Sequence, residues 1–346
     1  MFGFIFLIVL FCNQLLIING QYVFASKTVL VTAVNAWIAN EASATTTYGA
    51  INTWDVSAVT DMANLFNANT FNGDISSWDV GSVTTMYQMF YTASSFNGDI
   101  SGWDMSSVTT TDRMFRGASV FNQNIGGWDM SSVIATTAMF QSAFAFSHDI
   151  SSWDMSSVTH MDHMFYEASV FNQDLSSWNV NSVTAMYRMF QSASAFNQDI
   201  SGWNVNSVTA MQYMFFEASV FNQDISGWDV SSVTNMEGMV KSAVAFNQQL
   251  CWDVTGKDIT DIFTGANGGA TVDCPPTSQP TGEPTTQPTS QPTSQPTTQP
   301  TGQPTTRPTS QPTSQPTSQP TSQPTTQPTP ERVIIKEVVR EQVEKT

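Results

Sequence analysis

None of the chain's 16 prolines falls before Pro275, and there are only three cysteines in 346 residues. Basic residues are also scarce, with 11 Lys and Arg against 28 Asp and Glu, for a net charge of -17. That charge is not evenly spread. Residues 26–274 hold 23 acidic and 6 basic residues, and the remainder of the chain after Cys274 holds five of each. An acidic unit with so few cations repels phosphate backbones, which excludes nucleic acid as a partner. Histidine occurs only at His148, His160 and His163, too few and too clustered for a nucleophile–base–orienter set. No Gly-rich phosphate loop and no Asn-x-Ser/Thr glycosylation sequon is present. After the first twenty residues no stretch is long and apolar enough to span a bilayer.

The apolar residues 1–20 carry no charge. They read as a secretory signal peptide, lacking only the basic n-region, and the leader is placed at 1–25. Two cleavage points fit, after Ala25 in Val23-Phe-Ala25 and after Gly20. An uncleaved membrane anchor is the competing reading. Cys251 and Cys274 are then an even pair in an exported chain, which points to a disulfide rather than two free thiols. A loop of that size would stabilise by about 3 kcal/mol in the chain-entropy model.

What the chain has in abundance is repetition. Trp followed by Asp or Asn, then Val or Met, recurs at Trp54, Trp78, Trp103, Trp128, Trp153, Trp178, Trp203, Trp228 and Trp252. Six of the eight intervals are 25 residues, and the first and last are 24. A fixed period in this range marks a stacked array in which each unit buries its apolar face against its neighbours. Within a unit, Ile-x-x-Trp-x-Val (Ile225, Trp228, Val230) has the spacing of a short strand with alternating faces. Ser-Ser-Val-Thr then offers helix caps, and Met236, Met239 and Ala243 follow helical spacing. The expected fold is therefore α/β: a leucine-rich-repeat-like solenoid of about nine coils over 51–274, each with one short strand and one short helix. Thr111 and Thr136 replace a core Met, so looser packing is expected there.

The flanks differ. Leu30, Val34, Trp37 and Ile38 share a helical stripe, so residues 26–50 read as an N-terminal helical cap. The last unit is one residue short and is expected to cap the far end, pinned by Cys251–Cys274. From 275 to 330, Pro recurs every fourth residue in Pro-Thr-Ser-Gln variants, with no apolar side chain to bury. This reads as a disordered, extended stalk of O-glycosylated type, reaching on the order of 150 Å at most. Residues 331–346 form a short amphipathic segment, marginal as an isolated helix.

Phe221-Asn-Gln-Asp-Ile-Ser-Gly-Trp-Asp-Val-Ser-Ser-Val-Thr-Asn-Met236 and its eight relatives resemble the 25-residue repeat of BspA-like leucine-rich repeat surface proteins. The resemblance covers about residues 51–266. It implies a secreted or cell-surface array for adhesion or protein binding, and no catalytic residue.

The sharpest candidate site is acidic. Asp55, Asp79, Asp104, Asp129, Asp154, Asp229 and Asp253 follow the Trp, with Asn179 and Asn204 in the gaps. Asp74, Asp99, Asp149, Asp174, Asp199 and Asp224 form a second column. Like charges stacked at strand spacing destabilise unless something offsets them. Turn capping, a bound calcium ion or a basic partner would each do so. The first column is expected on the exposed strand face and is the preferred binding site. The Asn column beginning at Asn72 reads as an internal amide ladder satisfying turn backbone. His160 and His163 could pair on a metal, but as outward variable positions they read as solvated surface.

The expected function is binding, not catalysis, with a protein or glycan at a cell or matrix surface as partner. Calcium is a possible cofactor. The alternative is a structural wall or matrix component, self-associating through cation-bridged acidic faces. Contact with a membrane would come only through the leader or an anchor outside the sequence.

Overall fold

The computed structural model describes residues 8–9, 16–18 and 21–267. The tail and the segment containing Cys274 lie outside them. Three short antiparallel strands open the chain in the order β1 (Ile8–Val9), β2 (Leu16–Ile18), β3 (Gln21–Val23). The end of β3 belongs to the array. Val23 bridges Asp55 in parallel, the Phe24 N–H donates to the Asp55 carbonyl at 2.8 Å, and the Asp55 N–H donates to Tyr22 O at 2.9 Å. Phe24 is fully buried, its ring 4.9 Å from that of Trp54.

Two helices follow, α1 (Lys27–Ala39) and α2 (Glu41–Tyr48). Leu30 and Val34 of α1 are fully buried, and Trp37 meets Phe71 edge-on at 5.1 Å. The break between the helices is made by Asn40, whose side chain accepts the Ser43 N–H at 2.9 Å and so caps α2.

Beyond Trp54 the expected strand-plus-helix unit is corrected. The coils contain neither a helix nor a multi-residue strand; each is a run of turns joined to the next coil. The segment expected as a strand is two tight turns. In one coil the Trp103 N–H donates to Ile100 O at 3.2 Å and the Val108 N–H to Met105 O at 2.9 Å. The inter-coil contact falls later, as single parallel bridges running Asp61, Thr85, Thr110, Ala135, His160, Ala185, Ala210, Asn235, Asp258.

The Met-x-x-Met segment is not a helix because its amides divide their loyalty. Over Met86–Ala93, the N–H groups of Met86, Gln88, Phe90 and Thr92 donate to the next coil, at Thr110, Asp112, Met114 and Arg116. Those of Met89, Tyr91 and Ala93 close four-residue turns on the carbonyls of Met86, Gln88 and Phe90. This alternation requires a left-handed residue at every fourth position, and Gln88 (φ 56°) and Thr92 (φ 51°) supply it. An α-helix cannot pass through that conformation. Arg113, Ala138, His163, Arg188 and Tyr213 repeat the first of these positions. The cost, roughly 1–2 kcal/mol for a non-glycine residue, is offset by the ladder of coil-to-coil and turn hydrogen bonds that this conformation allows.

Side chains reinforce the ladder. Phe90, Phe115, Phe140 and Phe165 stack at 5.5–5.8 Å between centroids, and a second Phe column packs against them inside each coil at 3.9–4.1 Å. In seven coils the Trp indole N–H donates to the Ile or Leu carbonyl of the coil before, at 2.9–3.2 Å. One coil alone could make only the Phe pair inside it; the stacked columns and the indole bonds need a neighbour. Thr136 sits in the Met column with its hydroxyl 3.3 Å from His160 O, whereas the buried Thr111 hydroxyl has no partner.

Candidate functional site

Apart from Asp55, which bridges Val23 of β3, the acidic columns lie at turns, not on a strand face. Each carboxylate accepts the N–H two residues on: Asp55 from Ser57 at 3.0 Å, Asp79 from Gly81 at 3.2 Å, Asp104 from Ser106 at 3.0 Å, Asp129 from Ser131 at 3.0 Å, Asp154 from Ser156 at 2.9 Å, Asp229 from Ser231 at 2.9 Å and Asp253 from Thr255 at 2.9 Å. Asn179 and Asn204 do the same with neutral amides, at 3.1 and 3.2 Å. The second column is built alike, as in Asp149 to Ser151 at 2.9 Å. These bonds hold Asp129 and Asp154 below the usual carboxylate range, through the Ser131 and Ser156 hydroxyls and amides. Turn amides therefore offset the like-charge ladder locally. Among the described residues no group of three His, Cys, Asp or Glu side chains could hold a metal ion.

The Asn column forms an inter-coil ladder: Asn97 N–H to Asn72 Oδ1 and Asn122 N–H to Asn97 Oδ1, both at 2.9 Å. Most of its members are exposed rather than internal. Ser147 still donates its N–H to Asn122 Oδ1 at 3.0 Å but has no amide oxygen to pass the ladder on, while Gln173 Nε2 reaches Ser147 O at 2.8 Å as Gln123 Nε2 reaches Asn97 O. Cys251 is disulfide-bonded; Cys274 lies outside the described residues. The short last coil leaves the buried Trp252 indole N–H without a partner, beside a cavity of about 350 Å³ between Trp228 and Trp252.

Column reading from Trp to Trp missed a different face. Counting nine, ten and thirteen residues after each Trp gives the outward positions of the Met-x-x-Met turns. All five tyrosines after Tyr48 fall there: Tyr87, Tyr91, Tyr166, Tyr187 and Tyr213. So do the three arginines of the array, Arg113, Arg116 and Arg188. These side chains touch across coils. Arg113 Nη1 donates to the Tyr87 hydroxyl at 2.9 Å, Arg116 lies over Tyr91 at 5.4 Å, and Arg188 sits between Tyr187 and Tyr213 at 4.9 and 5.2 Å. Such cation–π stacking fixes otherwise mobile guanidinium groups.

His163 belongs to this face, half-buried, with its ring 4.9 Å from Tyr187. Burial, aided by Arg188, Arg116 and Arg113, pushes its pKa down to about 4. His160 is exposed, its Nδ1 2.9 Å from the Thr159 hydroxyl, so the two rings are not a ligand pair on a common helix. Asp112 and Asp162, half-buried in the same face, are raised by burial while accepting the Thr137 and Tyr187 N–H groups at 2.7 and 2.9 Å. The signal that could have found this face was variability within the repeat: its residue types change from coil to coil where the Trp, Phe and Asn columns scarcely do. In the turn just beyond it, Val120, Phe144, Val170, Val220 and Val244 are exposed apolar side chains.

A period of 25 residues, coil-to-coil hydrogen bonding and one variable face define a tandem-repeat protein. The family model described as a Mycoplasma protein of unknown function, DUF285, matches residues 35–153 and 138–252, and the chain belongs to that family. The PT disordered repeat matches 275–308 and 295–331. Together the two matches make it a surface-type repeat protein with a low-complexity tail. No curated protein and no solved structure matches the chain. No helix among the described residues is long and apolar enough to cross a membrane.

Proposed function

We propose that the chain is a non-enzymatic binding or adhesion protein, exported and displayed at a cell surface. In this reading the repeats form a leucine-rich-repeat-like solenoid of the BspA type, and the Pro-Thr-Ser-Gln tail is its spacer. The observation that carries the reading is the division of labour within each coil. Trp, Phe, Ile and Asn positions hold the stack, and the residues that vary gather on one face. A rigid scaffold presenting a variable face is what a recognition surface needs, because side chains locked by packing lose little entropy on binding. The matches to DUF285 and PT repeats support surface display.

The test is adhesion of the purified full chain to immobilised cells and extracellular matrix. Binding that falls when Tyr187 and Tyr213 are changed to Ala supports the proposal. Absence of binding to every surface overturns it.

A further inference from the structure

Resting on the binding reading above, we propose that the ligand is a neutral carbohydrate chain, lying across the turn face around Tyr187, Arg188, Gln191, Gln212, Tyr213 and Phe216. Three observations lead there.

Unsatisfied buried polar atoms gather at this face. Arg188 Nε, Gln191 Oε1 and Gln212 Oε1 are buried without a hydrogen bond, three of five such atoms among the described residues. Gln191 is only 7% exposed. Native proteins leave few such groups unpaired, and those that remain call for an explanation. All three are shut off from solvent on residues joined by backbone hydrogen bonds, Arg188 N–H to Gln212 O and Gln191 N–H to Arg188 O, so a ligand meets them as the side chains turn outward; one donor and two acceptors then suit a ligand rich in hydroxyls, each of which both donates and accepts.

Aromatic planes stand beside them. Tyr213 is 5.8 Å from Phe216 and 6.4 Å from Tyr187, and its hydroxyl donates to Glu237. Arg188 is clamped between the two tyrosines. Sugar rings offer apolar C–H faces to such planes and hydroxyls to the polar groups around them.

Competing partners fit less well. An extended peptide gains much of its affinity by adding a strand to a free backbone edge. Here the backbone amides of the face are already spent on the coil-to-coil ladder, as with Arg188 to Gln212 and Tyr213 to Glu237. An acidic polymer would meet the field of a chain carrying -17. The face runs from Tyr87 to Tyr213, five coil steps or roughly 24 Å at strand spacing, which is room for several sugars rather than one.

The experiment is affinity gel electrophoresis of the full chain through gels holding laminarin, mixed-linkage β-glucan or galactomannan, with polygalacturonate as the acidic probe. Retardation by a neutral glycan is expected. It should drop at least tenfold in apparent affinity for Tyr187→Ala with Tyr213→Ala, and for Gln191→Leu, while Asp129→Ala with Asp154→Ala retains it. Circular dichroism and the unfolding midpoint confirm that each variant is folded; if Tyr187→Ala with Tyr213→Ala is not, Gln191→Leu alone decides. Retardation by polygalacturonate only, or neutral binding untouched by the face variants, overturns the inference. So does no retardation by any glycan; if the chain then still adheres to protein-coated surfaces, the binding reading survives and this one does not.

Discussion

Acid should loosen the array through His163. The unfolded chain protonates this side chain near 6.5, whereas in the folded protein burial and three nearby arginines delay protonation to about 4. The unfolded state thus binds more protons between those values, and stability is lost as pH falls through 6.5 toward 4. From pH 7 to 5 about 1.5 units of the difference are used, a ceiling of about 2 kcal/mol at ~1.36 kcal/mol per unit. His163 is only half-buried, so solvent screening reduces this to about 1 kcal/mol. Asn is the right replacement, because it tolerates the left-handed backbone at this position (φ 58°) and does not titrate. Asp112 and Asp162, raised by burial, act in the opposite direction as pH falls, and the comparison of wild type with His163→Asn cancels them. In urea titrations wild type should lose roughly 0.3 M more of its midpoint between pH 7 and 5 than the variant does. Equal losses would refute the assignment of a neutral, acid-resistant imidazole.

Four other outcomes follow from the packing. Thr111→Val removes a buried hydroxyl without a partner and should stabilise by about 1 kcal/mol, while Thr136→Val removes a bonded one and should not; paired denaturant curves distinguish them. Phe140→Ala, in the middle of the stacked column, should cost about 3–5 kcal/mol, and a loss under 1 kcal/mol would contradict the ladder. Millimolar calcium should leave the thermal midpoint unchanged, since the turn amides already engage the Asp columns; a clear rise would reinstate them as cation sites. N-terminal sequencing of exported protein should start at Gln21 rather than Ser26, because a cut after Ala25 would remove Phe24 from the core.

The repeat, its period and its buried columns were legible in the sequence because they depend on residue type alone. Trp, Phe, Ile and Val at fixed spacing must be inside, and in the structure Trp153, Phe165, Phe171 and Ile150 are. The first and last intervals of 24 residues likewise marked the ends as different. The helical stripe of residues 26–50 was legible, as α1 and α2 show, but secondary structure within the repeats was not. Met186-x-x-Met189 has helical spacing, yet the chain turns left-handed at Arg188, because alternate amides do better by bonding to the following coil. That choice depends on a neighbour 25 residues away, which no local propensity registers. The acidic columns were partly legible: turn capping was one of the readings their charge pattern allowed, and Asp129 and its counterparts do accept the amide two residues on, but the turn that brings it within reach replaces the expected strand face. Sequence determined which side chains are inside and how often they recur. Tertiary structure decided where the backbone hydrogen bonds go, and so which residues share a face, because coil-to-coil pairing outweighs the helical preference of any single coil.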